Sequence, residues 1–413
     1  AGMGCFPTEL PLLPLTVLLL ALHSTSTSDG NPYVDEAGSD FEGYDYTIIH
    51  EEILKDRNRT NAYRDAILRN SEFFQNKIVA DLGCGLGLMS LLSAKAGAKK
   101  VYCIESAAIA DVTRKIVAAN GLSGVIHVIK ERMESVEIPE GYVDIIVSEW
   151  MGFFLLFEDM LPDVITFRDK YLTKHNGLIM PSEARLWGAL YHDDHWYQSR
   201  IQYWQDVYGF DYTPILEKVK SEQFENPERM HLRSNGLIST PSLLFNLDLY
   251  TTSIEDLKEI KARFQGSVTR DAMVHGVAFW FDVLLEGPNH KLLLDTSAAA
   301  GYNTWSQVLW HVMGPEVQTG DDLRGALTIS RRSSGSYDLS MKIEEPFETS
   351  LESLAQNAGN LYQDMYERLE IEHAMYRHAG HLGRFYEDGV LAVAAVFCLS
   401  FGIWVGTISS RFS

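Results

Sequence analysis

No other stretch narrows the possible folds as far as Ile78-Val79-Ala80-Asp81-Leu82-Gly83-Cys84-Gly85-Leu86-Gly87, a short apolar run emptying into a glycine-rich turn. The run reads as a buried strand, and residues 88–96 behind the turn have the composition and spacing of a helix. A second apolar strand at 101–104 completes a βαβ unit, whose two strands run parallel. Residues 127–129 (HVI) and 144–148 (DIIVS) supply two more short strands, so a doubly wound Rossmann-type α/β domain is expected up to about residue 180. Glycines at the strand-to-helix turn let the backbone approach a ligand with no Cβ in the way. The bland alternative is that they only let the helix pack on the strand.

Glu105 sharpens the ligand reading. It ends the next strand, about twenty residues beyond the turn, where a carboxylate can accept hydrogen bonds from both ribose hydroxyls of a nucleoside. The loop is GxGxG preceded by Asp81, whereas a dinucleotide loop is GxGxxG and receives a pyrophosphate. Two carboxylates suit a sulfonium and an amino group and oppose phosphates. A nucleoside without pyrophosphate therefore fits better than NAD.

Beyond Pro181 the pattern changes to alternation, clearest at 277–283 (VAFWFDV) and 337–343 (YDLSMKI), which signals half-buried antiparallel strands. Residues 191–214 are dense in aromatics (Tyr191, Trp196, Tyr197, Tyr203, Trp204, Tyr208), at spacings compatible with one helical face. That face packs either on a partner chain or in the monomer's own core. A chain of 413 residues with 46% hydrophobic content exceeds one typical core, so two or three domains are expected.

A formal net charge of -21 repels a nucleic-acid backbone and suits cationic ligands such as arginine-rich segments, or simply keeps the chain soluble. Four cysteines (Cys5, Cys84, Cys103, Cys398) stand singly, with neither CxxC nor zinc spacing, and read as thiols of a reducing compartment; no metal site is expected.

The ends differ in character from the middle. Residues 10–22 are a short proline-marked apolar run followed by a Ser/Thr-rich linker to residue 40, which suggests a signal-like or interfacial segment. Residues 347–388 have helix-forming composition and are expected to make a stalk. Residues 389–408 (GVLAVAAVFCLSFGIWVGTI) carry no charge over about the length that crosses a hydrocarbon core, so a C-terminal transmembrane helix is expected. The membrane would be cytosol-facing or mitochondrial.

The second chemical signal is Ser148-Glu149-Trp150-Met151-Gly152-Phe153-Phe154-Leu155-Leu156-Phe157-Glu158, which follows a strand end. Gly152 permits a turn that brings Glu149 and Glu158 to one pocket among aromatics. Two carboxylates in an apolar wall repel unless a cation lies between them, and the planar, forked guanidinium is the natural one.

This loop resembles the double-glutamate loop of class I, S-adenosylmethionine-dependent protein arginine methyltransferases. The likeness extends over residues 41–346, through 44–60 (YDYTIIHEEILKDRNRT), the glycine loop, Ile104-Glu105-Ser106, 133–137 (MESVE), 203–211 (YWQDVYGFD) and Asn303-Thr304-Trp305. It implies a methyltransferase domain at 41–180, a β-barrel substrate domain at 181–346 and a dimerisation arm at about 191–214. The partner would be a second copy or a related methyltransferase chain. By position, Arg59 would hold the cofactor's methionine carboxylate, Asp81, Gly83 and Gly85 would line its methionine and ribose, Glu105 would bind ribose, and Met133 and Glu134 would lie at adenine. Tyr44, His50, Met151 and Trp305 would shape the substrate pocket, with Glu149 and Glu158 catalytic. The sulfonium methyl is electrophilic already; the two glutamates would align a guanidinium nitrogen with it and localise positive charge on the far nitrogen.

The pattern also breaks. Thr304 replaces the histidine of the family's Thr-His-Trp loop and cannot carry a positive charge, Ile53 replaces a methionine, and Asp40 replaces an aromatic. Two functions compete: an arginine-protein methyltransferase held at a membrane, and a weak or inactive homologue serving as an accessory subunit of a membrane complex.

Overall fold

A computed structural model describes residues 44–343. The segment at 1–40, the stalk at 347–388 and the apolar run at 389–408 lie outside the described residues, as do Asp40 and Phe41. Among the described residues no helix is long and apolar enough to cross a membrane.

Two helices lead in, α1 (Thr47–Lys55) and α2 (Arg57–Arg69), followed by the single turn α3 (Ser71–Phe74). Asp56 separates the first two: its extended backbone ends α1, and its side chain accepts from Arg59 N at 3.0 Å to cap α2. The parallel sheet follows: β1 (Ile78–Leu82), α4 (Leu88–Lys95), β2 (Lys100–Glu105), α5 (Ala110–Ala119), β3 (Ile126–Lys130), β4 (Ile145–Ser148), α6 (Leu161–Tyr171) and β5 (Leu178–Met180). Its strand order is β3-β2-β1-β4-β5, all neighbours parallel. The order reverses at β1, and a doubly wound sheet opens a crevice beyond its strand ends at such a reversal. Leu82 pairs with Ile104 on one side and Ser148 on the other. Register alone therefore sets the glycine loop, Glu105 and Glu149 side by side at one edge.

The second half is antiparallel. It comprises β6 (Glu183–Tyr191), α7 (Asp194–Arg200), α8 (Leu216–Phe224), β7 (Glu228–Met230), β8 (Ser242–Asp248), β9 (Glu259–Ser267), β10 (Ala272–Met273), β11 (Gly276–Glu286), β12 (Lys291–Asp295), β13 (Gln307–His311), β14 (Glu316–Val317), β15 (Asp322–Arg331) and β16 (Tyr337–Ile343). One sheet runs β7-β13-β11-β6-β8 with β12 also on β11, a second β16-β15-β9, and a third β10-β14. The barrel implied by the resemblance is thus three hydrogen-bonded ladders rather than one continuous one.

Alternation is the correct reading of β16, whose residues swap between buried or half-buried and exposed or half-exposed along the strand. It is the wrong reading of β11, which is buried on both faces along most of its length. There Asp282 is fully buried because Arg185 Nε (2.7 Å) and Trp187 Nε1 (2.9 Å) both donate to it from β6. Phe279 meets Phe154 from the α/β half, ring centroids 5.0 Å apart.

The aromatic stretch is not one helical face. Asp193 caps the two-turn α7 through Trp196 N (2.9 Å), a 3-10 turn follows at Gln202–Gln205, and another precedes α8 at Thr213–Ile215. Trp196 is buried on the body, whereas Tyr208 (94%) and Phe210 (68%) stand in solvent.

Candidate active site

At the cofactor edge, Gly83 N and Cys84 N both donate to Ile104 O (2.9 and 3.1 Å), folding the loop over the end of β2. Glu105 then accepts from Gly85 N and Ala107 N, each 2.9 Å, one per carboxylate oxygen, so its orientation is fixed before any ligand arrives. Thr113 holds the loop from α5 through Gly85 O at 2.6 Å. Gly83 has φ +69°, and a Cβ on it would lie 2.6 Å from Met160 Cε; a larger residue would fill the cradle. Asp81 is buried with Ser90 Oγ donating to it at 2.7 Å; burial pushes its carboxyl up to about 7, against that hydrogen bond. This edge presents two carboxylates, Asp81 and Glu105, which fits a nucleoside bearing a positively charged group.

The neighbouring elements close in. His50 Nε2 donates to Tyr44 O at 2.8 Å, and the ring lies over Gly85, where a Cβ would be 3.1 Å from Nδ1. After β3 the chain continues beside Glu105, Glu131 N donating to its carbonyl at 3.1 Å, and brings Met133 and Glu134 to this edge. Met133 is half-buried against the core, and Glu134 pairs with Arg132.

The reading of the cysteines as four separate thiols is overturned at this loop. Cys84 and Cys103 are joined by a disulfide, with Cα atoms 5.4 Å apart. A search for closely spaced cysteines misses such a pair, because the two are 19 residues apart, Cys84 in the loop that leaves β1 and Cys103 on the parallel neighbour β2, opposite Asp81.

The second carboxylate pair lies around the end of β4. Gly152 has no alternative: a Cβ there would be 1.4 Å from Phe157 O. The loop doubles back with left-handed backbone at four non-glycine residues, Phe154, Leu155, Glu158 and Asp159. Such conformations persist only where the surroundings enforce them. Asp159 is held by Arg331 Nε (2.6 Å) and Nη2 (2.5 Å) and by Tyr337 Oη (2.8 Å), so the β-rich half secures the loop's far end.

Glu149 accepts from Arg59 Nε at 3.0 Å and forms an ion pair with its Nη2, also at 3.0 Å. Arg59, expected at the methionine carboxylate, is thus itself a guanidinium on Glu149. Glu158 accepts from Tyr44 Oη at 2.8 Å. Burial raises both carboxyls, Glu158 to about 7, with Glu149 adding repulsion on it and Tyr44 opposing. The Glu158 side chain stays open to solvent on one side. Trp305 Nε1 donates to Met151 O at 2.6 Å, bringing the 303–305 turn against the loop. The glycine loop, Glu105, Glu149 and Arg59 meet at this one strand edge, with Tyr44, His50, Glu158 and Trp305 around it.

Other groups were not foreseen. Asp56 accepts from Thr304 N (2.8 Å) and Thr304 Oγ1 (3.1 Å) while capping α2. Tyr63 Oη donates to Ser148 O at 2.9 Å, beside Glu149. An Asp ahead of a helical stretch is a readable cap signal. Arg229 and Arg331 meet the site only through long-range folding, whereas Ser90, Asp159 and Met160 lie close in sequence to its loops. Elsewhere, His192, Asp194 and His275 have metal-ligand composition, but His275 Nδ1 accepts from Asp193 N (2.9 Å), which puts its proton on Nε2 where a metal would need a lone pair.

Comparison with known proteins separates the two halves. Residues 182–349 match the model of the arginine methyltransferase oligomerization subdomain, and residues 67–168 match that of ribosomal protein L11 methyltransferase, which covers the first four strands of the parallel sheet. Protein arginine N-methyltransferase 1 of Saccharomyces cerevisiae is 37% identical over 312 residues, 75% of this chain and 88% of that protein. Probable protein arginine N-methyltransferase 6 of Arabidopsis thaliana is 40% identical over 286 residues, 68% of this chain and 65% of that one. Among solved structures, the Trypanosoma brucei PRMT1 enzyme-prozyme heterotetrameric complex with AdoHcy superposes with a TM-score of 0.68 at 30% identity, covering 75% of this chain and 96% of that one. Cofactor edge, double-glutamate loop and a likeness spanning both halves agree: the chain belongs to the protein arginine N-methyltransferase family, class I and S-adenosylmethionine-dependent.

Proposed function

We propose that this enzyme transfers a methyl group to a guanidinium nitrogen of arginine in protein substrates, with Glu149 and Glu158 holding the guanidinium. The observation that carries the reading is Arg59 on Glu149, an internal guanidinium already bound by one of the paired carboxylates. S-adenosylmethionine supplies the electrophilic methyl. Glu105 would orient its ribose, Asp81 and the Gly83 and Gly85 backbone would line its methionine and ribose, and Met133 and Glu134 would flank adenine. Arg59, beside both edges, would meet the methionine carboxylate. Glu149 and Glu158 draw guanidinium hydrogens toward themselves, which leaves electron density on the nitrogen facing the methyl. Met151 and Trp305 wall the pocket, with Tyr44 closing it from the segment leading to α1 and His50 from α1 itself.

The exposed aromatics of 203–212 support a dimer, with a second copy or with a related chain as in the enzyme-prozyme assembly. The uncharged run at 389–408 supports a membrane tether, cytosol-facing or mitochondrial, to be checked by alkaline extraction of membranes with and without that run. The test of function is transfer of labelled methyl to arginine-rich peptides, beside Glu149→Gln, read by mass spectrometry. Methylarginine lost in the variant supports the reading. Cofactor binding without transfer, to peptides or to candidate partners, would shift it to an accessory subunit.

A further inference from the structure

Arg229 lies on β7, opposite Val308 of β13. Its guanidinium carbon is 4.0 Å from the centroid of Phe153, on the double-glutamate loop, and its Nη2 donates to Thr304 O, next to Trp305. One exposed side chain therefore touches both walls of the pocket. Inside, Trp305 bonds Met151 O and Asp56 holds Thr304 N and Oγ1; outside, Arg229 spans the same seam. The far end of the strained loop is pinned through Asp159, and Phe153 lies at its near end, just before two left-handed residues. A planar fork can lie flat on a ring while donating in its own plane, a geometry that an ammonium does not reproduce. Glu158 is faced by Tyr44 from the segment leading to α1, by Glu149 across the loop, and by the Arg229 charge from β7.

We propose that Arg229 is a positioning residue for methyl transfer, clamping the 303–305 turn to Phe153 and so fixing the wall that orients the substrate guanidinium. The inference rests on the methyltransferase reading of that pocket.

The test is binding of a fluorescent arginine peptide in the presence of S-adenosylhomocysteine, followed as a function of pH, for the whole chain and for Arg229→Ala, Arg229→Lys and Phe153→Leu. Arg229→Ala should bind peptide roughly threefold to tenfold more weakly, as expected for a cation over a ring plus a charged hydrogen bond. It should also move the midpoint of the pH dependence upward, because a positive charge facing Glu158 is gone. Arg229→Lys should keep the midpoint and not the affinity, and Phe153→Leu should do the same. Affinity for S-adenosylhomocysteine should be unchanged in all three. Unaltered peptide binding in Arg229→Ala, full rescue by lysine, or a parallel fall in S-adenosylhomocysteine affinity would each overturn the role. An unsubstituted chain that binds S-adenosylhomocysteine but no arginine peptide overturns the methyltransferase reading itself, and this role with it.

Discussion

Asp81→Asn should gain stability relative to wild type as pH rises from near 4 to above 7, while weakening cofactor binding. Asp81, one residue before the end of β1, lies almost without solvent contact, and burial lifts its carboxyl from 3.8 to about 7. A raised carboxylate costs nothing below its unfolded value, costs progressively more as pH rises toward its folded value, and costs the full amount above it. A rise of that size corresponds to about 4 kcal/mol, a ceiling that relaxation and entering water reduce. Asparagine keeps an acceptor for Ser90 and removes the charge, but buries an amide that lacks the aspartate's partners, at about 1–3 kcal/mol. That second cost is independent of pH, so the decisive quantity is the change in the variant's stability difference between a pH near 4 and a pH above 7. Denaturant unfolding at the two pH values measures it, and the variant should gain roughly 1–4 kcal/mol relative to wild type on going from the lower to the higher. A stability difference that does not move with pH would refute the raised carboxyl. The same charge should be recovered by a cationic ligand, so calorimetry near pH 7 should register proton release when S-adenosylmethionine binds wild type and none in Asp81→Asn.

Three further outcomes are expected. Affinity for arginine peptides should rise with pH through a midpoint between 4.5 and about 7 and then level off, as Glu158 ionises, and Glu158→Gln should abolish that rise; a flat wild-type profile would count against Glu158 as a guanidinium ligand. Gly152→Ala should eliminate peptide binding, because its Cβ would fall 1.4 Å from Phe157 O, yet leave S-adenosylhomocysteine binding within roughly tenfold, since the Gly83-to-Glu105 contacts do not pass through it. Alkylation of the unreduced chain should spare Cys84 and Cys103 and reductant should expose them; modification of both without reductant would show that the bridge is absent.

The parallel sheet was legible because its information is local. β1 ends where the apolar run and glycine turn say it must, and the position of Glu105 follows from the length of one βαβ unit. The residues on the two loops were likewise readable, since Gly83, Gly152 and the glutamates are set by backbone space and charge within a few residues of each other. What escaped was whatever depends on register between distant strands. Cys84 meets Cys103 through parallel pairing, β11 is buried twice because β6 hands Asp282 two donors, and the aromatic arm breaks into short helices that no periodicity marks.

Thr304 shows what this difference does to an argument about activity. Along the chain it is a lost histidine, and a motif read residue by residue counts it against the pocket. In space its backbone N–H and hydroxyl both reach Asp56, its carbonyl takes Arg229, and its neighbour Trp305 bonds Met151. The turn is therefore tied to α2, β7 and the double-glutamate loop by contacts that need no imidazole, and the positive charge stands on β7 instead. A wall secured by several elements survives the exchange of one of its residues, so on the proposed reading activity at this site would turn on the pair Glu149 and Glu158, which the chain retains.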